Sequence, residues 1–195
     1  MQYLKEQVRE KILQSAREEF IAHGFSNASI RNIADGSGTS LGNIYRYFTD
    51  KEALYISVVE EFVQKSLEFA QKEFDLSDED IRRYPSLFLS FIKDNREDLE
   101  ILTNGPREHF ADYIKKTTEV YTEKLCGFIA VNCPQIKDAL SENFCRNVCM
   151  SFASGISRLI YQEEWSADLE KDFEELVWFF FGDIMHRLRA YVEKK

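Results

Sequence analysis

Apolar residues recur at intervals of three and four along nearly the whole chain, which is the period of an α-helix that buries one face. Near the N-terminus, the stripe that begins with Val8, Ile12 and Ala16 predicts a helix over residues 5–23. Gly24 follows as a candidate C-cap, because glycine tolerates the left-handed backbone angles found at helix ends. The pattern predicts an all-α fold.

Later stripes predict further helices, separated by acidic, glycine and proline breaks, over residues 50–74, 81–95, 99–103, 106–132, 135–163 and 166–193. The last of them is apolar on every side around residues 177–181, so it must be buried on more than one side. We expect the second side to meet another copy of the chain, next to small residues of the preceding helix. The predicted dimer interface comprises Ser151, Ser154, Gly155, Trp178, Phe181 and Met185.

A short stretch, residues 29–55, has a different organisation. Ser29 and Ser40 are each suited to cap a short helix, because a serine hydroxyl can accept a free N–H in the first turn. Residues 36–38, Gly-Ser-Gly, separate the two helices, and Asp50 can cap a third. Two short helices joined by a glycine-containing turn form a helix-turn-helix, which places its second helix in the major groove of DNA.

The residues of this stretch also carry a family resemblance. Those that stand at the spacings of the TetR family of transcriptional regulators are Ile33-Ala34, Gly38, Ser40, Gly42, Ile44-Tyr45, Tyr47-Phe48 and residues 51–55. The resemblance covers about the first sixty residues. It implies an N-terminal three-helix DNA-binding domain with a helix-turn-helix (residues 1–50) and a C-terminal helical domain for effector binding and dimerisation (residues 51–195).

The resemblance further implies a repressor that binds a palindromic operator as a homodimer and is released by a small, largely apolar or aromatic effector. Carried over position by position, it implies DNA contacts from Ser29, Arg31, Ser40, Leu41, Gly42, Asn43, Tyr45, Tyr47 and Lys51. Leu41 departs from the polar or basic residue often found at its position. It either touches a thymine methyl group or leaves that base unread.

Charge limits the kind of nucleic-acid binding that is possible. The net charge is −9 and the isoelectric point about 5.0, which argues against a nonspecific nucleic-acid coater. Residues 1–55 carry seven basic and seven acidic side chains, so the whole negative charge lies in residues 56–195. A DNA-reading segment of this composition depends on individually placed cations.

No motif for catalysis or cofactor binding accompanies the helical pattern. The sequence lacks a phosphate-binding GxxxxGK loop, an HExxH motif and a GxSxG motif. Cys145 and Cys149 lie one helical turn apart, but no nearby ligands complete a zinc site. We therefore predict no enzymatic activity, no cofactor and no metal. The absence of a signal peptide and of a long uncharged apolar run predicts a cytoplasmic protein.

Aromatic side chains are abundant between residues 84 and 181, and most of them are expected to fill the core. Some can also line an apolar ligand cavity between helices. The predicted ligand contacts are Tyr84, Phe88, Phe91, Asn104, His109, Phe110, Tyr113, Thr117, Tyr121, Asn147, Phe152 and Trp165. Two other functions stay open at this point: a transcriptional activator of the same fold, and an all-α ligand-binding protein whose helical hairpin is only structural.

Overall fold

The computed structural model describes residues 2–73, 76–134, 140–160 and 167–193, and within those ranges the chain forms helices without any strand. The helices are α1 (Gln2–Asn27), α2 (Ile30–Gly36), α3 (Leu41–Tyr47), α4 (Lys51–Glu73), α5 (Asp78–Asp94), α6 (Arg96–Thr103), α7 (Arg107–Asn132), α8 (Glu142–Ile160), α9 (Ala167–Phe181) and α10 (Ile184–Glu193). The predicted all-α fold is confirmed. None of the helices in the described ranges has an apolar stretch of the length needed to cross a bilayer.

Contacts between Cα atoms divide the chain into two compact units, neither of which is continuous in sequence. The first unit comprises Met1–Lys65 and Asn95–Asp112, and the second comprises Ser66–Asp94 and Tyr113–Lys195. Helices α4 and α7 each contribute residues to both units. This division does not test the domain boundary that we predict after residue 50, which stays a prediction.

The core of the first unit is built from the apolar stripes of the sequence. Ile12 and Phe20 of α1, Ile33 of α2, Ile44 of α3 and Leu54 of α4 are all buried. Because each short helix offers only one or two large apolar residues, none of them is stable alone, and packing on α1 and α4 holds them in place.

Residues 95–112 belong to the first unit through a set of contacts that the sequence pattern does not reveal. Arg17 of α1 forms ion pairs with Asp98 and Glu97 of α6, and the hydrogen bond to Asp98 raises the pKa of the guanidinium. The Tyr55 hydroxyl of α4 donates to the carbonyl oxygens of Ile101 (3.4 Å) and Leu102 (3.3 Å), in the last turn of α6. Burial of that hydroxyl raises the pKa of Tyr55.

The core of the second unit is strongly aromatic. The Phe69 ring of α4 lies 4.6 Å from Phe91 and about 6 Å from Tyr84 and Phe88, measured between ring centroids. Phe88 stacks in turn on Phe173 of α9 at 4.9 Å. These contacts join α4, α5 and α9 through their apolar faces.

The end of the chain corrects one sequence prediction: a single helix over residues 166–193 is wrong, because α9 ends at Phe181 and α10 starts at Ile184. Asp183 has a positive φ of 52°, which lies outside the range of a right-handed helix. The Arg187 guanidinium donates from Nη1 to the carbonyl oxygens of Phe179 (2.9 Å) and Phe180 (3.3 Å). A cation at the C-terminal carbonyls of α9 stabilises the break. The predicted helix over residues 135–163 appears as α8, and residues 135–139 and 161–163 lie outside the described ranges.

Candidate nucleic-acid interface

The turn between α2 and α3 has the hydrogen bonds of a Schellman motif. Gly38, with φ of 66°, donates its N–H to Asp35 O (3.2 Å), and Thr39 donates to Ala34 O (3.0 Å). Gly36 permits a close approach of α2 to α1, because a Cβ atom there would collide with the Ser15 hydroxyl. The two predicted glycine positions therefore have separate roles, one in the turn and one in helix packing.

A carboxylate occupies the start of α2. Ser29 caps the helix by accepting the Asn32 N–H at 3.4 Å, as predicted. In addition, Glu19 of α1 accepts the backbone N–H of Ser29 (2.8 Å) and the side-chain amide of Asn32 (3.1 Å). A negative charge at a helix N-terminus is favourable, and it takes the position that a phosphate would otherwise use at that N–H. Arg31, one residue into the helix, is exposed.

The start of α3 is capped by hydrogen bonds and has an open surface at Gly42. The Ser40 hydroxyl accepts the Asn43 N–H at 3.2 Å, which confirms the predicted cap. The Asn43 amide donates to the Thr39 hydroxyl at 2.7 Å, which fixes the orientation of that side chain. A Cβ atom on Gly42 would meet no atom within 4 Å, so the backbone there faces open space.

The outer face of α3 presents side chains that the core does not need. Leu41 is 37% exposed and Tyr45 49% exposed, although large apolar and aromatic side chains are normally buried. Arg46 adds an exposed cation in the last turn. On the inner face, Ile44 and Phe48 are buried and anchor the helix. The helix is thus held by one face and leaves the other available.

Two predicted phosphate contacts are already engaged within the first unit. The Lys51 ammonium donates to two carbonyl oxygens in the last turn of α1, those of Phe25 (2.7 Å) and Ser26 (3.2 Å), and to that of Ala28 (3.2 Å) just after the helix. The Tyr47 hydroxyl donates to Lys5 O at 3.1 Å. Both side chains brace α1 against the helices that follow it, and their predicted phosphate contacts stay a prediction.

Sequence reasoning missed three residues at this surface: Glu19, Thr39 and Arg46. The signal for Arg46 was present, since it is the only cation in α3 and follows the exposed Tyr45. Thr39 was detectable as a hydroxyl four residues before Asn43. Glu19 was not detectable, because its bond to Ser29 depends on how α1 and α2 pack.

The predicted ligand residues are distributed over the two compact units, and their role in ligand binding stays a prediction. Tyr84, Phe88, Phe91, Tyr113, Thr117, Tyr121, Asn147 and Phe152 lie in the second unit, whereas Asn104, His109 and Phe110 lie in the first, and Trp165 lies outside the described residues. In the second unit Tyr84 and Tyr121 share a buried hydrogen bond of 2.6 Å between their hydroxyls. In the first unit His109 Nε2 lies 2.9 Å from Glu52 Oε1, beside the Tyr55 ring.

Two cavities of the second unit are lined by other residues. One, of about 630 Å³, lies between α7 and α8, with Thr122, Cys126 and Cys145 in its wall. The other, of about 590 Å³, lies between α5 and α9, where Arg82 sits over the Trp178 ring. A cavity in the helical C-terminal part was predicted, but the walls of one cavity carry carboxylates and thiols, and those of the other carry two carboxylates and the exposed rings of Trp178 and Phe179.

The predicted dimer residues divide into exposed and buried groups. Ser151, Ser154 and Trp178 are exposed, and Phe179 beside them is 72% exposed. Gly155 packs against Leu176 of α9, and Phe181 is completely buried against Phe152 within its own unit. The Met185 side chain lies outside the described part of the structure.

Comparison with known proteins agrees with the geometry of the first unit. Residues 12–58 match the family model described as bacterial regulatory proteins, tetR family. Over 53 residues the chain is 38% identical to the HTH-type transcriptional repressor AcnR of Corynebacterium efficiens, which is 27% of this chain and 28% of that protein. Over 65 residues it is 32% identical to the HTH-type transcriptional repressor Rv1474c of Mycobacterium tuberculosis, or 33% and 35% of the two chains. The matched segment therefore spans about a third or less of these relatives.

Solved structures resemble the chain over a much greater length. The transcriptional regulator FadR from Bacillus subtilis, in complex with stearoyl-CoA, superposes with a TM-score of 0.65 at 19% identity, covering 89% of this chain and 98% of FadR. A TetR-family transcriptional regulator from Bordetella parapertussis has a TM-score of 0.60 at 21% identity, covering 89% and 93%. At these identities the likeness extends to the fold.

Proposed function

We propose that this chain, which belongs to the tetR family of bacterial regulatory proteins, binds operator DNA through α3 and regulates transcription from it. The observation that carries the proposal is the outer face of α3, where Leu41, Gly42 and Tyr45 are exposed while Ile44 and Phe48 hold the helix from behind. A helix of seven residues with bare backbone on its outer side is suited to approach base edges closely.

Each polar or apolar side chain at this surface has a definable task in DNA binding. Asn43 can both donate to and accept from a base edge, as the amide of asparagine does with adenine. Leu41 offers an apolar contact to a thymine methyl group. Tyr45, Ser40 and Arg31 supply donors to the sugar-phosphate backbone, which position the protein without specifying sequence. Arg46 joins them as an exposed cation.

We propose that two copies bind a palindrome, with one α3 in each half-site. The surface available for this dimer lies on α8 and α9, where Trp178 and Phe179 are exposed together with Ser151 and Ser154. Isolated apolar side chains on a surface are ordinary, but two adjacent aromatics beside small residues favour contact with a second chain. Phe181 is left out of this interface, because it is already buried within its own chain.

Repression is the regulatory sense that we propose, since AcnR and Rv1474c are both named as repressors. Release by a small effector follows a two-state scheme, in which the effector binds better to a conformation with the wrong spacing between the two α3 helices. Helices α4 and α7 each run from one compact unit into the other, so both units share these two helices. We also propose that the DNA-binding domain ends at residue 50 and that the protein is cytoplasmic.

The test is fluorescence anisotropy of the purified protein on its own upstream DNA, at physiological salt and with excess competitor duplex. We expect saturable binding with one dimer per palindrome. Asn43→Ala should weaken specific binding by about 1–3 kcal/mol, which is the usual loss for a base contact. Competitor-level binding, repeated after selection from random sequences, would refute the DNA function.

Controls separate DNA contact from local structure. Thr39→Val removes the partner of the Asn43 amide but leaves the amide itself, so it should weaken binding much less than Asn43→Ala if the amide reads a base. Asn143→Ala changes an exposed asparagine at the start of α8 and should leave DNA affinity unchanged. Equal losses for Thr39→Val and Asn43→Ala would assign Asn43 to the turn instead.

A further inference from the structure

Two cysteines from different helices share one cavity of the second unit. Cys126 of α7 and Cys145 of α8 both line the 630 Å³ cavity between these helices. Both thiols therefore belong to one cavity wall, and all four cysteines of the chain are free. Nineteen positions of sequence separate them, so the fold brings both to the wall of one cavity.

The two thiols differ in access. Cys145 is 1% exposed, and mainly its burial raises its pKa to about 12. Cys126 is only half-buried and is the thiol that a molecule in the cavity can reach. Cys145 therefore stays protonated at neutral pH, and the reaction starts at the more accessible Cys126.

We propose that Cys126 and Cys145 form an oxidisable dithiol site, at which a hydroperoxide converts the pair to a disulfide that links α7 and α8. The Cys126 sulfur attacks the outer oxygen of the hydroperoxide, the O–O bond breaks, and Cys126 becomes a sulfenic acid while the peroxide leaves as an alcohol or water. The Cys145 sulfur then attacks the sulfenic sulfur, the S–O bond breaks, and water leaves with the thiol proton. The two thiols are oxidised by two electrons in total, and the peroxide is reduced by two.

Charges at the cavity wall favour a neutral oxidant. Glu119, Glu123 and Glu142 line the cavity, and the only cation there among the described lining residues, Arg146, is paired with Glu142 at 2.7 Å. An excess of carboxylates repels anions such as hypochlorite or glutathione, whereas hydrogen peroxide and organic hydroperoxides reach the thiols without that penalty.

The remaining cysteines provide built-in controls. Cys149 is fully buried, and mainly this burial raises its pKa to about 11. Cys133 is also fully buried. Neither is among the residues that line the cavity, so both should keep their thiols at peroxide concentrations that oxidise the pair.

The experiment treats the purified full chain with hydrogen peroxide, blocks remaining thiols with iodoacetamide under denaturing conditions, and measures the mass. We expect two alkylated thiols in place of four, and a tryptic map that joins the peptides of Cys126 and Cys145. Cys126→Ser should keep all three remaining thiols, and Cys133→Ser should still lose two. This chemistry is measured without DNA and therefore stands or falls independently of the proposed function.

Three results would overturn the proposal: four alkylated thiols after peroxide treatment, a disulfide that joins a different pair or two chains, or oxidation of Cys126 to sulfinic acid without a disulfide. The map of the unsubstituted chain decides among these even if a serine variant fails to fold. Repeating the treatment with cumene hydroperoxide tests whether an organic hydroperoxide also reaches the thiols through the cavity. We expect both hydrogen peroxide and cumene hydroperoxide to oxidise the pair.

Discussion

Gly105 offers the sharpest test of how residues 95–112 are held in the first unit. It follows α6, and a Cβ atom at this position would lie 2.8 Å from Cε2 of Tyr55 and closer still to Cζ and Oη. Real Cβ atoms do not approach other atoms within 3.0 Å. Gly105→Ala must therefore displace the buried Tyr55 ring or the end of α6.

The change in the free energy of unfolding follows from two destabilising contributions and one stabilising contribution. Overpacking a filled site costs about 1–3 kcal/mol. Displacement of the Tyr55 hydroxyl from Ile101 O and Leu102 O costs about 0.5–1.5 kcal/mol more. Reduced entropy of the unfolded chain returns about 0.4–1 kcal/mol. We expect Gly105→Ala to lower the free energy of unfolding by about 2 kcal/mol.

Gly127 supplies the matched control. It lies inside α7, and a Cβ atom added to it would meet no atom within 4 Å, so Gly127→Ala should raise the free energy of unfolding by about 0.5–1 kcal/mol. Tyr55→Phe should not rescue Gly105→Ala, because the ring carbons remain in the way.

Urea titrations followed by circular dichroism at about 222 nm, where helices absorb, measure both changes. A loss of about 2 kcal/mol moves the midpoint by roughly 1 M, given the usual slopes of about 1–3 kcal/mol per molar urea. Hydrogen exchange at residues 99–105 locates the loss and guards against unfolding in more than one step. A Gly105→Ala variant as stable as the parent would refute the close packing of Tyr55 on this turn.

Three further predictions concern single interactions. Lys51→Met should lower the free energy of unfolding by about 1–3 kcal/mol in a urea titration, because three backbone carbonyls at residues 25–28 lose a charged donor. Weaker DNA binding at unchanged stability would contradict this prediction. Burial raises the pKa of Cys149 to about 11 from a usual value of 9.0, so this thiol ionises at a lower pH in the unfolded chain than in the folded one. As the pH rises from 9 to 11, the Cys149 thiol should therefore lower the free energy of unfolding by up to about 1.4 kcal/mol per pH unit. Cys149→Ala should flatten that part of the pH profile, and an unchanged slope would assign it to other groups. Arg187→Met should lower the melting temperature, because the last carbonyls of α9 lose their donor; no change would mean that water replaces the guanidinium.

Local signals in the sequence predicted local structure well. Ser29 and Ser40 cap α2 and α3 as expected, because a cap depends on atoms within three residues. Asp50 caps α4 in the same way, by accepting the Ala53 N–H at 2.7 Å. Helix starts, the glycine turn and the buried face of α3 were therefore readable from the sequence.

Tertiary relationships were not readable in the same way. Periodicity marks the apolar face of α6 but does not say which helices cover it, so the pairing of Arg17 with Asp98 was not predicted. The break after α9 was missed because residues 177–181 are apolar on all sides, while the positive φ of Asp183 is stabilised by Arg187 from the next turn. Lys51 was assigned to phosphate from its position alone, and its carbonyl partners are known only from the packing of α1.

The interleaving of the two units has a consequence for how the chain is made. The first unit is not complete until residue 112 has been synthesised, and residues 66–94, which belong to the other unit, are made in between. At about 5–20 residues per second, residues 66–112 take roughly 2–9 seconds to translate. During that interval Tyr55 lacks its partners in α6, and the nascent helices α1 to α4 expose apolar surface that a chaperone can bind.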